Sequence, residues 1–78
     1  MKIKKNSLIT LSDNLEYVVI ETIEYNQKEY CYISEIENPS NLKFGYIDNE
    51  DLVIVNNSNL IKNLIPFFIN KIKEDKHE

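Results

Sequence analysis

Proton transfer and nucleophilic attack need a positioned histidine, an activated cysteine or carboxylates whose proton affinities are pushed apart. This chain of 78 residues has one histidine, His77, one cysteine, Cys31, and 13 acids. His77 is next to last, in a charged tail where nothing holds a general base in place. Cys31 sits between Tyr30 and Tyr32 with no histidine to draw off its proton, so it reads as a structural thiol. Asp48, Glu50 and Asp51 could loosely hold a divalent cation, but they lack the spaced ligands and turn glycine of a calcium loop, and a solvated turn is expected. With Gly45 as the single glycine, no glycine-rich phosphate loop is available. These residues predict no enzyme, and they call for no metal or cofactor.

Charge is the more informative property. The formal net charge is −4. Residues 1–5 contribute +3, residues 58–78 contribute +1, and the stretch between them carries −8. A region this acidic repels phosphate backbones and attracts basic surfaces. The candidates for docking on a basic partner protein are Glu16, Glu21, Glu24, Glu29, Glu35, Asp48, Glu50 and Asp51, chosen for charge density alone. Tyr30, Tyr32, Phe44 and Tyr46 would be the stacking platform of a nucleic-acid-binding barrel, but the negative charge makes nucleic acid an unlikely partner and core packing is the expected use of these rings. All nine basic residues are lysines, and the 11 asparagines and 12 isoleucines beside one glycine fit an AT-rich coding bias that carries no mechanism.

The elements that must position these side chains are legible. Glu16 to Ile36 contains two runs rich in Val, Ile, Tyr and Thr around the polar break Asn26-Gln27-Lys28, the pattern of a β-hairpin. Leu8 to Leu11 precedes it as a short strand. Tyr17, Val19, Ile23 and Tyr25 are expected on one face of the next strand, with Val18 and Ile20 on the other. Leu42 to Asp48 and Leu52 to Val55 follow as strands, and Gly45 in the first of these predicts a bend that lets the sheet curl. Asn57 or Ser58 caps a helix whose apolar residues fall at 60, 61, 64, 65, 68, 69 and 72. Pro66 kinks or splits that helix. Phe67 and Ile69 widen its apolar stripe and are candidates for a partner-binding or homodimer edge.

The expected architecture is α+β: about five antiparallel strands in a curled sheet or small barrel, packed on one C-terminal helix. Length allows one domain over 1–78, with 1–6 and 75–78 mobile. The start Met1 to Lys5 is basic, but the residues after it never reach a continuous apolar region, and no stretch approaches the ~20 apolar residues of a spanning helix. A soluble cytoplasmic protein without a membrane partner is expected.

Leu11-Ser12-Asp13, Tyr17-Val18-Val19, Tyr25-Asn26-Gln27-Lys28-Glu29-Tyr30 and a helix ending in Phe67-Phe68 resemble the YrzB-like small acidic bacterial proteins, a domain of unknown function. The similarity spans about residues 8–70 and implies an early strand, a hairpin, further strands and a short helix. Gln27 stands where that family often has glycine, and no active residues are carried over. In type alone, the chain is similar to small acidic inhibitors from phages and mobile elements, such as anti-CRISPR proteins. That likeness implies competition for a nucleic-acid-binding surface of a target protein.

Overall fold

A computed structural model describes residues 4–76. Its strands are β1 (Leu8–Thr10), β2 (Glu16–Tyr25), β3 (Lys28–Glu35), β4 (Leu42–Asp48) and β5 (Asp51–Ile54), followed by helix α1 (Ser58–Lys76). They form one sheet in the order β1-β2-β3-β4-β5, each strand antiparallel to the next. The fold is α+β, a curled half-barrel sheet with one C-terminal helix, as the sequence predicts.

The β2–β3 hairpin closes on two residues, because Lys28 already pairs with Tyr25. Asn26 and Gln27 take φ of 51° and 66°, the double positive-φ geometry of a turn that matches strand twist. Asn tolerates it. For Gln27, which has no glycine's freedom, it is a local cost.

Face assignment in β2 departs from simple alternation. The pairing steps from Val19↔Ile33 to Glu21↔Tyr32, leaving Ile20 as an extra residue in a bulge. Tyr17 and Val19 therefore join one buried cluster with Cys31 and Ile33, while Ile23 and Tyr25 join another with Tyr30, Val55, Leu64 and Phe68. The expectation that Tyr17, Val19, Ile23 and Tyr25 share a face is corrected: one inserted residue moves everything after it to the other side. Each side of the sheet now has its own core. Helix α1 covers the second, and Ile9, Leu11, Ile47, Leu52 and Ile54 pack over the first.

Gly45 serves a close approach of β5. A Cβ there would lie 2.9 Å from Leu52 Cδ1 and 3.0 Å from the Val53 carbonyl oxygen.

Asn57 caps α1, its Oδ1 accepting the N–H groups of Asn59 at 2.9 Å and Leu60 at 3.1 Å, which is worth about 1 kcal/mol. The helix runs unbroken through Pro66. That proline is exposed, on the side away from buried Leu64 and Phe68. The amide of Asn6 donates to the Val19 carbonyl at 2.7 Å, and Lys5 pairs with Glu21. Within the ends expected to be loose, Lys5 and Asn6 thus make contacts with β2, and the backbone of 75–76 belongs to α1. The rest of that expectation, on residues 1–3 and 77–78 with His77, lies outside the described residues. Among the described residues no helix is long and apolar enough to cross a membrane.

Candidate interaction surface

The eight candidate carboxylates do not share one face. Glu21 is 2% exposed, with the Lys5 ammonium 3.5 Å from its Oε2 and the Thr22 N–H donating to Oε1 at 3.2 Å. Glu35 is buried too, and accepts from the Asn41 side-chain amide at 2.9 Å. Both hold the fold together. Glu16 begins β2 opposite Thr10, at the end of the sheet where the β1–β2 and β3–β4 connections lie.

The other five gather at the opposite end. In an up-and-down antiparallel sheet the β2–β3 and β4–β5 turns emerge together, which places Glu24, Glu29, Asp48, Glu50 and Asp51 along one rim. Here Glu24 faces Glu29 directly across the hairpin, and Asp48 faces Asp51. Strand parity sets the first pair on the side of Cys31 and the second on the side of Tyr46, so the rim is acidic on both sides of the sheet. Lys71 of α1 lines a small cavity with Glu24 and Glu29, and the Lys28 ammonium sits 4.5 Å from the centre of the Tyr46 ring. Like charges directly across a ladder oppose pairing. Among the described residues no three metal-ligating side chains converge.

At the other end Tyr17 is fully buried, and its hydroxyl donates to Asp13 Oδ2 at 2.9 Å. The Asn41 side chain approaches the same hydroxyl at 3.4 Å while donating to Glu35. The Leu15 N–H, bonded at 2.9 Å, and then the Tyr17 hydroxyl hold the Asp13 carboxyl below its ordinary value. Burial, followed by the bond and charge of Asp13, pushes the Tyr17 phenol up. This network clamps the β1–β2 turn onto β2 and offers no mobile proton near neutral pH.

The four rings considered as a base-stacking platform lie on the helix side. Tyr32 and Phe44 stack at 5.0 Å and both meet Phe68, at 5.9 and 5.5 Å; Tyr30 and Tyr46 lie 5.8 Å apart. Their faces are used inside the molecule, in the packing role expected for them. Phe67 and Ile69 are separated by about 200° around the helix at 100° per residue. Phe67 lies 5.2 Å from Tyr25 on one flank, while Ile69 lines an apolar groove of about 400 Å³ with Tyr32, Leu42, Phe44 and Ile65 on the other. They form two edges, not one. Leu42, on the sheet side of this groove, was not among the candidates because its exposure depends on where α1 stops covering β4.

Cys31 is buried and unoxidised, and burial, aided by the nearby Glu29 charge, pushes its thiol up to about 12. The unfolded thiol ionises above its ordinary 9.0 while the folded one keeps its proton, so the unfolded state binds fewer protons and stability falls as pH rises. Between pH 9 and 12 this thiol is expected to lower stability steadily as pH rises. The raised phenol of Tyr17 adds to the loss above pH 10. Urea midpoints followed from pH 8 to 10.5 should fall less steeply in Cys31→Ala than in the parent; equal slopes would contradict the buried thiol. Comparison of the chain with protein-family models, with curated proteins and with solved structures gives no match.

Proposed function

We propose that this chain is a non-enzymatic protein-binding module whose acidic rim, Glu24, Glu29, Asp48, Glu50 and Asp51, docks on a basic surface of a partner protein. The supporting observation is that like charges stand directly across the ladder, Glu24↔Glu29 and Asp48↔Asp51, at the same end of the sheet. Each works against the ladder that contains it, by a few tenths of a kcal/mol or more. Surfaces that sacrifice stability in this way are commonly those selected for binding. A lysine- or arginine-rich surface relieves the repulsion, and nucleic-acid-binding proteins present such surfaces. Occupying one would compete with the phosphate backbone, which is the sense in which the chain would act as an inhibitor.

The double variant Glu29→Gln, Asp51→Asn is expected to unfold at higher urea concentration than the parent. It should also bind a fluorescein-labelled oligo-lysine peptide several-fold more weakly, measured by anisotropy at ~0.15 M salt where exposed charges are already screened beyond ~8 Å. Unchanged peptide binding would remove the acidic-docking reading. Micromolar binding of single-stranded DNA or RNA under the same conditions would favour the nucleic-acid alternative instead.

Self-association is a second reading, favoured by Ile65, Leu42 and Ile69, which are 39%, 47% and 47% exposed along one groove. The exposed Lys62 and Lys73 of the helix complement the acidic strands of a second copy. Light scattering that shows a monomer at high concentration removes this reading.

A further inference from the structure

We propose that the cleft between β1 and β5 takes one extended strand of a partner protein, antiparallel to both edges, with apolar residues at alternate positions and lysine or arginine at its C-terminal end. The inference rests on the protein-binding reading and specifies how the partner is held.

Direction comes first. Five strands that alternate in sense leave β1 and β5 running the same way. They cannot pair with each other in the antiparallel manner of the rest of the sheet, whereas a single strand of opposite sense is antiparallel to both.

The backbone is prepared for it. Leu11 donates to the Leu15 carbonyl and Val55 to the Phe44 carbonyl, which fixes the phase of each edge ladder. Paired bonds alternate along an antiparallel ladder, so Ile9 and Val53 bond inward while the N–H and C=O groups of Leu8, Thr10, Leu52 and Ile54 point away from the sheet. Among the described residues no strand pairs with these edges, and open edges of this kind are the template for strand addition.

The side chains agree. Ile9 and Leu11 from β1 and Leu52 and Ile54 from β5 pack on the same buried cluster and line a cleft of about 640 Å³. They present an apolar floor to every second residue of an incoming strand. Asp13, already engaged by Tyr17, lies at one part of the lining, with Glu50 and Asp51 at the turn that begins β5. A strand antiparallel to β5 ends beside that turn, and its C-terminal residues meet Glu50 and Asp51. Charge complementarity therefore sets the basic residues at that end.

The probe is an acetylated octapeptide that alternates threonine and valine and ends in two lysines. Its control has identical side chains with N-methylated backbone amides, which keeps charge and apolar surface but removes the donors. Amide exchange by NMR is expected to slow about tenfold or more at Leu8, Thr10, Leu52 and Ile54 on saturation with the octapeptide, and the methylated control should bind at least about tenfold more weakly. Equal binding of the two peptides, both weakened by Glu50→Gln with Asp51→Asn, would overturn strand addition while leaving the acidic rim as a docking surface. Protection of the four amides that persists in that charge variant would keep strand addition and overturn the acidic-rim reading. Failure of the octapeptide to bind at millimolar concentration overturns the proposal, as does its binding with the four amides unprotected. Protection of the same amides without peptide, together with a dimer by sedimentation, would assign the cleft to a second copy and overturn it as well.

Discussion

Phe68→Ala is expected to cost about 3–5 kcal/mol, the range for emptying a buried aromatic position. Phe68 is 3% exposed, beside fully buried Leu64, and its ring is the helix's contact with the Tyr32–Phe44 stack. A domain of this size has a total stability of roughly 4–12 kcal/mol, so the loss takes a large share of what holds it folded. Phe68 is the helix's one aromatic contact with that row among the described ring pairs, since Phe67 leans on Tyr25 at the opposite flank. Phe68→Leu keeps most of the volume and should lose less than about 1.5 kcal/mol. Urea unfolding of both variants, followed by near-ultraviolet dichroism of the tyrosines, measures the difference. If Phe68→Ala lost under about 1 kcal/mol, α1 would not be seated on that row.

Gly45→Ala is expected to destabilise by about 1–3 kcal/mol, the cost of forcing an extra methyl into a packed site. The sign is diagnostic. Gly45 does not have positive φ, and at an unstrained position replacing a strand glycine by alanine usually gains about 0.5–1 kcal/mol. Here the new methyl would meet the Leu52 side chain at 2.9 Å and the Val53 carbonyl oxygen at 3.0 Å. Leu52 can rotate away. The carbonyl belongs to β5, and moving it loosens the pairing with β4. Leu52→Ala in the same background should recover only part of the loss, and a double-mutant cycle in urea reads that part directly. A stabilised Gly45→Ala would mean β5 does not approach as closely as described.

Those two positions show where sequence reading succeeds and where it stops. The apolar spacing that includes Leu64 and Phe68 identified the packed side of α1, because a helix repeats its contacts every 3.6 residues and the pattern survives without coordinates. Strand runs and the Asn26-Gln27 turn were legible for the same reason, as was capping by Asn57. Gly45 was recognised as special, but which neighbour crowds it depends on β5, and a lone glycine does not name its neighbour. The bulge at Ile20 left no trace, because Val18, Val19 and Ile20 are all apolar and an inserted residue looks like one more member of the run. The charge total is read directly from the residues, but the end and side of the sheet that each carboxylate takes is not. Burial of Glu21 and Glu35 depends on Lys5 and Asn41 reaching them from elsewhere in the chain. The cleft was hidden behind a count of strands that said nothing about which edges stay open.

The inserted Ile20 also bears on how the molecule comes apart. Because β2 lends Tyr17 and Val19 to one core and Ile23 and Tyr25 to the other, neither core can melt while its neighbour keeps that strand in place. Strand β3 does the same with Cys31 and Ile33 on one side and Tyr30 on the other. The two layers are therefore expected to unfold in one all-or-none transition with coincident calorimetric and van't Hoff enthalpies.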